Sequence, residues 1–406
     1  MASPIRPYQI SVPDSAIHNL KDKLAAATLP EASDFSDDRD SGAPLSEITR
    51  LAQRWRDGFD WRKQEAQINK DLPQYTTTIK VDGFDELNIH FVHQRSVREG
   101  SIPLVFCHGW PGSFVEVRKI LPLLAKSENP SFHVVAPSLP NFGFSDRVNK
   151  AGFGLSQYAE TLHKLMVKLG YNTYVAQGGD WGYSITRHMA LLYPEHCLAT
   201  HINMVYFPRP PPYASRPMDA LAETVLGRSE DEKQGIERSR WFMERGYGYN
   251  LLQATKPATL GFALTDSPLA LLAWIWEKLH DWTDAYPWTD DEALTWISIY
   301  QFSTGGPAAS ARIYYEGANA GPEAKKKMFG WIGGVRLGIS YFPRDITLPP
   351  RAWGRTLGPV VFERKHVAGG HFAAYEVPEK LVGDLQDMFG KGGGADFGDR
   401  FRESRL

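Results

Sequence analysis

One hexapeptide limits what this chain can fold into more than any other feature: Gln177-Gly178-Gly179-Asp180-Trp181-Gly182. An apolar, strand-like run (173–177) leads into it, and a helical stretch (183–192) leads out and stops at Pro194. The pattern is that of a nucleophile elbow, in which small residues flank an exposed nucleophile at a tight strand-to-helix turn. Gly178 and Gly182 leave room for the turn. Asp180 at its tip is then forced into a strained backbone conformation, which a chain adopts only where the surrounding structure over-determines it. The plainer alternative is a glycine-rich turn in which Asp180 caps the helix that follows.

The rest of the chain supplies a sheet for such a turn. Short apolar runs at 103–107, 132–137, 173–177 and 200–205 alternate with helical patterns, and the same texture returns at 338–342 and 359–365. Strands alternating with helices imply an α/β fold, a mostly parallel sheet with helices on both faces. Ahead of these, 76–81 and 87–94 flank Asp82-Gly83 and predict a hairpin. Residues 1–75 read as helical and irregular. Ile17, Leu20 and Leu24 recur at helical spacing after the capping candidates Asp14 and Ser15, as do Ile48, Leu51, Ala52 and Trp55, with a polar loop at 34–46 between them. This extension has no apolar run able to form a core alone, so it is expected to pack on the rest. A different texture fills 206–328. It opens with the helix-breaking Phe207-Pro208-Arg209-Pro210-Pro211-Pro212 and carries many aromatics at helical spacing. The expected division is an N-terminal extension (1–75), a first core part (76–205), an inserted helical lid (206–328) and a second core part (329–406).

Composition narrows the function classes. A net charge of -2 gives no basic footprint for nucleic acid. No apolar run approaches the roughly 18 residues of a membrane span. The first residues lack an apolar signal core, so a cytoplasmic protein is expected. The last three, Ser404-Arg405-Leu406, nearly match the Ser-Lys-Leu peroxisomal tail and follow a flexible glycine-rich stretch at 390–394. Cys107 and Cys197 have no metal-like spacing and read as buried apolar residues in a reducing environment.

An aspartate at the elbow indicates the reaction. A serine alkoxide suits an acyl carbon, whereas a carboxylate suits displacement at saturated carbon, giving an enzyme-bound ester that water can release. Epoxides or alkyl halides are therefore expected over esters and peptides. His108-Gly109-Trp110-Pro111-Gly112-Ser113-Phe114 follows the strand that ends at Cys107. Its backbone and that after the nucleophile are suited to an oxyanion hole, assigned to the N–H groups of Trp110 and Trp181. The Trp110–Pro111 bond is a candidate for the cis form, and His108 is expected to order the loop. His371, in Gly369-Gly370-His371-Phe372 after a late strand, occupies the place of the base. His163, His188 and His366 lie within helical patterns or at a strand end. Asp345, after a strand in Tyr341-Phe342-Pro343-Arg344-Asp345, is the candidate to orient the base; Glu363 is an alternative inside a strand-like run. An epoxide oxygen also needs a hydrogen-bond donor, since an alkoxide leaves poorly. Tyr247, Tyr249, Tyr286, Tyr300, Tyr314 and Tyr315 are all candidates, and the residues alone do not choose among them.

Together these motifs resemble the microsomal-type epoxide hydrolases, particularly their soluble fungal members. The likeness spans most of the chain. Val12-Pro13-Asp14, Leu29-Pro30 and Asp60-Trp61-Arg62-Lys63-Gln64-Glu65 resemble the family's N-terminal extension. His108 to Ser113 and Gly178 to Gly182 resemble its core, and Gln253-Ala254-Thr255-Lys256-Pro257 and Asp266-Ser267-Pro268 its lid. The resemblance implies an α/β-hydrolase fold. It also implies two tyrosines on the epoxide oxygen: Tyr249, just before the Gln-Ala-Thr-Lys-Pro stretch, and Tyr314, after Ser310-Ala311-Arg312, with Tyr315 adjacent. The family's acid follows Phe-Pro, which supports Asp345, and its base lies in Gly-His-Phe, which supports His371. Membrane-bound relatives carry an anchor helix that this chain lacks.

The expected reaction is therefore conversion of an epoxide to a vicinal diol. Asp180 forms an alkyl-enzyme ester, and water activated by His371 and Asp345 hydrolyses it, with no cofactor and no metal. A haloalkane dehalogenase would share the nucleophile, and a non-catalytic ligand receptor would share the scaffold. The identity of the epoxide, the carbon attacked, a detoxifying or biosynthetic role and a homodimer all stay open at this stage.

Overall fold

The apolar runs pair into one sheet of nine strands in the computed structural model, which describes residues 3–206, 210–212, 218, 220–221 and 227–401. Phe207-Pro208-Arg209 and Ser404-Arg405-Leu406 lie outside the described residues. In chain order the strands are β1 (Arg6–Tyr8), β2 (Gln74–Lys80), β3 (Glu86–Gln94), β4 (Ile102–Cys107), β5 (Phe132–Pro137), β6 (Tyr174–Gly178), β7 (Cys197–Ile202), β8 (Arg336–Tyr341) and β9 (Val360–Lys365). Across the sheet they run β1-β2-β3-β5-β4-β6-β7-β8-β9. Pairing is antiparallel from β1 to β5 and parallel from β5 to β9.

Burial explains the composition of these strands. Every residue of β4 and β6 is buried, so both read as unbroken apolar or small runs. β9 is an edge strand and half-buried throughout, which lets it carry Glu363, Arg364 and Lys365. Cys107 and Cys197 are buried free thiols at the end of β4 and the start of β7. After β4 the chain adds β5 on one side and then crosses to place β6 on the other. The loops after β4 and β6 diverge from this switch point, where an open α/β sheet forms a crevice at its carboxyl edge.

Some expectations shift. The first helix, Asp14–Ala26, follows Pro13 and has no side-chain cap. Asp14 pairs instead with Arg62, a tertiary partner that local spacing does not reveal. The hairpin closes at Lys80 opposite Glu86, so its loop is wider than Asp82-Gly83, although Gly83 does take a positive φ of 80°. β7 lies earlier than 200–205, because Met204 and Val205 remain buried after the chain has left the sheet. Strand β1 has no signature in the sequence, because three residues are too few to show alternation.

Between β7 and β8 the chain builds the helices Glu230–Trp241, Gly248–Thr255, Pro257–Asp266, Pro268–Asp281, Asp290–Gln301, Arg312–Ala318 and Pro322–Phe329. They cover the crevice. Trp296 Nε1 donates to Pro111 O at 2.5 Å and Tyr300 Oη to Gly112 O at 2.6 Å, tying Asp290–Gln301 to the loop after β4. The N-terminal segment holds these helices from outside. Trp55, 1% exposed, donates from Nε1 to Ser298 Oγ at 3.2 Å; Trp276 Nε1 donates to Glu47 Oε2 at 2.8 Å; and Arg54 forks onto Asp291. The apolar residues of this segment belong to the same continuous core as the sheet. Among the described residues, no single helix is long and apolar enough to cross a membrane.

Candidate active site

Asp180 sits at the tip of the turn from β6 into the helix Trp181–Leu192, with φ 51° and ψ −128°. A positive φ in a non-glycine residue persists only where neighbours hold it, and here the glycines explain how. A Cβ on Gly182 would overlap the Cys107 carbonyl, and one on Gly178 would overlap Gly182, so the turn packs directly against β4. A Cβ on Gly109 would occupy the space of the Asp180 carboxylate. That carboxylate does not cap its own helix, which removes the plainer reading of the turn.

The carboxylate instead faces two loops. The Trp110 backbone N–H donates to Asp180 Oδ1 at 2.8 Å, and the Trp110–Pro111 bond is cis. The Trp181 amide, the other expected donor, makes no hydrogen bond to this carboxylate. On the far side His371 Nε2 lies 3.4 Å from Asp180 Oδ2. Its Nδ1 is 2.7 Å from Asp345 Oδ1, which also accepts the Ile346 N–H at 2.8 Å. Asp345 and His371 lie on the loops after β8 and β9, which the bridge from Arg344 to Gly370 holds together. Both side chains are almost wholly buried. The alternative acid, Glu363, is turned away onto Arg355 Nη2 at 2.6 Å. His108 orders its own loop, accepting the Leu139 N–H at Nε2 (3.2 Å) while Nδ1 pairs with Gly109 O.

The six tyrosines separate by their surroundings. Tyr249 and Tyr314 line a cavity together with Asp180, Trp181, Phe242 and Ile346. Tyr247 also lines it, but its hydroxyl is engaged with Tyr206 Oη at 2.9 Å. Tyr300 is bonded to Gly112 O, Tyr286 donates to Glu292 Oε1 at 2.8 Å, and Tyr315 stacks on Arg312 outside the cavity. Tyr249 stacks on Trp110 with centroids 5.1 Å apart, and Tyr314 meets Trp181 edge-on at 4.9 Å. Among the described residues the buried Tyr314 hydroxyl has no hydrogen-bond partner, and Tyr249 and Trp181 lie beside it.

This arrangement sits in a chain with close relatives. Residues 5–117 match the family model described as epoxide hydrolase N terminus, and residues 102–242 match that of the alpha/beta hydrolase fold. A putative epoxide hydrolase of Stigmatella aurantiaca is 38% identical over 402 residues, covering 95% of this chain and 84% of that protein. The chain belongs to the epoxide hydrolase family. Epoxide hydrolase 1 of Sus scrofa is 33% identical, with 95% of this chain and 88% of that protein covered. The structure of Aspergillus niger epoxide hydrolase superposes with a TM-score of 0.82 at 35% identity, covering 95% of this chain and 96% of that one. The fold is thus that of an α/β hydrolase and the chain is an enzyme.

Electrostatics in this epoxide hydrolase follow from burial. Burial alone would lower the His371 imidazole, but the Asp345 and Asp180 carboxylates outweigh it and raise its pKa from 6.5 to about 10. Tyr249 and Tyr314 are raised well above the usual phenol value, chiefly by burial, with the Asp180 charge adding to it. Both therefore stay protonated and able to donate.

Several neighbours outside the catalytic motifs complete the site. Trp282 packs edge-on to His371 at 5.0 Å and accepts the His371 N–H through its carbonyl at 2.8 Å. Asn203 and Glu116 line a second, small cavity beside Asp180 and His371. Only Glu116 had a legible signal, since Ser113-Phe114-Val115-Glu116 fits a capping box, which the structure forms.

Proposed function

We propose that this enzyme opens an epoxide on Asp180 and hydrolyses the resulting ester with water activated by His371. One observation carries the reading. Two cavities meet at the elbow, and among the described residues only Asp180 lines both. One contains Tyr249 and Tyr314, donors for an epoxide oxygen; the other contains His371, the base. A carboxylate shared in this way suits attack on carbon from one side and release by water from the other.

The steps follow from the chemistry. Tyr249 and Tyr314 hydrogen-bond the epoxide oxygen while a carboxylate oxygen of Asp180 displaces it from a ring carbon. The opened oxygen takes a tyrosine proton, and solvent restores it. His371, oriented by Asp345, then removes a proton from water as its oxygen bonds to Cγ of Asp180. The Trp110 N–H already bound to this carboxylate supports the oxyanion, and the Trp181 N–H is assigned to join it once the ester forms. Collapse breaks the Cγ–O bond to the alkyl group, the departing oxygen takes the proton from His371, and the diol leaves.

A single turnover of styrene oxide in H₂¹⁸O tests this directly. The water oxygen ends in the Asp180 carboxyl, and the diol carries an oxygen that began there. Label in the diol from the first turnover would mean direct attack by water and would overturn the ester. Tyr249→Phe and Tyr314→Phe are each expected to slow ester formation by about 10²-fold, the usual loss for one preorganised donor. Stopped-flow tryptophan fluorescence reads that step.

The substrate is a small epoxide with apolar groups, given the aromatic and aliphatic lining of the cavity. In this reading residues 206–328 act as the lid, 1–75 as its outer brace, and 76–205 with 329–406 as the core. Leu251 and Phe262, 58% and 82% exposed on two of the inserted helices, are apolar side chains that a homodimer would cover; light scattering at twice the 45.6 kDa chain mass is what a homodimer requires. The peroxisomal reading of Ser404-Arg405-Leu406 requires a free C-terminus there, and a tagged copy that stays diffuse in the cytosol would dismiss it.

A further inference from the structure

The cavity on the His371 side contains an acid that the mechanism above does not use. Glu116 lies on the short turn Phe114–Arg118, 8% exposed, and lines that cavity with Asp180, Asn203 and His371. One of its carboxyl oxygens, Oε1, accepts the Ser113 N–H at 3.2 Å. No described residue bonds the other oxygen. The loop is shaped around this side chain, because a Cβ on Gly112 would overlap Glu116 Oε1.

A capping glutamate normally stands in water. This one is buried, and burial pushes its pKa from 4.5 up to about 8, with the Asp180 charge adding to the shift and His371 opposing it. A charge on Glu116 in turn raises the Tyr300 phenol and the Cys107 thiol, adding to their burial. A glutamine would cap Ser113 equally well without the cost of burying an acid. An acid kept here, beside the base and the carbon that water attacks, calls for a role in that attack.

We infer that Glu116 is a positioning residue for the hydrolytic step, holding the attacking water between His371 and the Asp180 ester. The inference rests on the ester mechanism proposed above. A water aligned for attack needs a lone pair on Cγ of Asp180 and both of its O–H groups directed elsewhere. One points to His371 Nε2 and the other to the free Glu116 oxygen. Burial is the main cause that raises Glu116, and ester formation cancels the Asp180 charge that adds to it just as an acceptor becomes useful. The proton removed from water goes to His371 and returns to the departing diol oxygen; Glu116 gives up and keeps none of it.

The test is transient kinetics of Glu116→Gln and Glu116→Ala with styrene oxide, reading ester formation and ester hydrolysis separately by stopped-flow fluorescence and by mass of the quenched protein. Both variants should form the ester within about threefold of the wild-type rate and hydrolyse it at least about tenfold more slowly, as expected for loss of one aligned contact to the nucleophile. The glutamine keeps the Ser113 cap, so slow hydrolysis in that variant separates positioning of water from shaping of the loop. Hydrolysis at the wild-type rate in Glu116→Gln, or an equal fall in both steps, would reduce Glu116 to a cap. If the wild type itself forms no ester, the mechanism fails and this inference with it. If the wild type forms one and Glu116→Gln clears it normally, only this inference fails.

Discussion

Asp180→Asn is expected to lower diol formation by at least about 10⁴-fold with the fold intact, because an amide in the same space cannot displace an epoxide oxygen. The substitution suits the site. Asparagine tolerates the positive φ that Asp180 adopts, and its side-chain oxygen can still accept the Trp110 N–H. The neighbours that hold the elbow, Cys107 and Gly182, are unchanged. Asp180→Ala is the second arm, because alanine cannot revert to a carboxylate by losing ammonia. Initial rates with styrene oxide, read beside the thermal midpoints, separate chemistry from folding. Activity above about a tenth of wild type in both variants would transfer the attack to another group, since loss of a covalent nucleophile is never that mild.

The elbow was legible in the sequence because sterics alone select its residues: any Cβ at Gly178 or Gly182 meets backbone. The loop positions of Asp345 and His371 were legible for a related reason. Each follows a strand whose apolar run can be counted, and a sheet of this kind presents its working side chains just beyond the strands' carboxyl ends. The tyrosines were not legible from pattern alone. Tyr314 and Tyr315 are neighbours on one helix, and only the packing of that helix on Trp181 sends the first into the cavity and the second onto Arg312. Asp14 failed as a cap for the same kind of reason, because its partner Arg62 is distant in sequence. Glu116 had a local signature, but a capping box says nothing about burial, and burial is what sets this one apart.

His371→Gln is expected to leave ester formation largely intact and to slow ester hydrolysis by about 10²–10⁴-fold, the usual contribution of a general base. The Asp180 peptide should then carry the mass of the added epoxide. The charge state of His371 supports this division. In the free enzyme the imidazole lies between two carboxylates and its pKa is raised to about 10, so it is protonated and cannot act as a base. Forming the ester removes one of those charges, and burial, which pulls the imidazole down, then counts for more. In the proposed mechanism the base is thereby released only once there is an ester to hydrolyse. Asp345→Asn should shift the same balance, because Asp345 is the carboxylate that remains. The raised pKa also fixes a sign for stability. A histidine that binds its proton more tightly when folded stabilises the native state fully below its unfolded value near 6.5, and that contribution is lost as pH rises through about 10. Wild-type unfolding midpoints should therefore fall across that window more steeply than those of His371→Gln. Trapped ester together with a flattened pH profile in the variant would establish both the base and its switch. Normal turnover in His371→Gln would put the base elsewhere, and loss of both ester and diol would mean that His371 is needed before the ring opens.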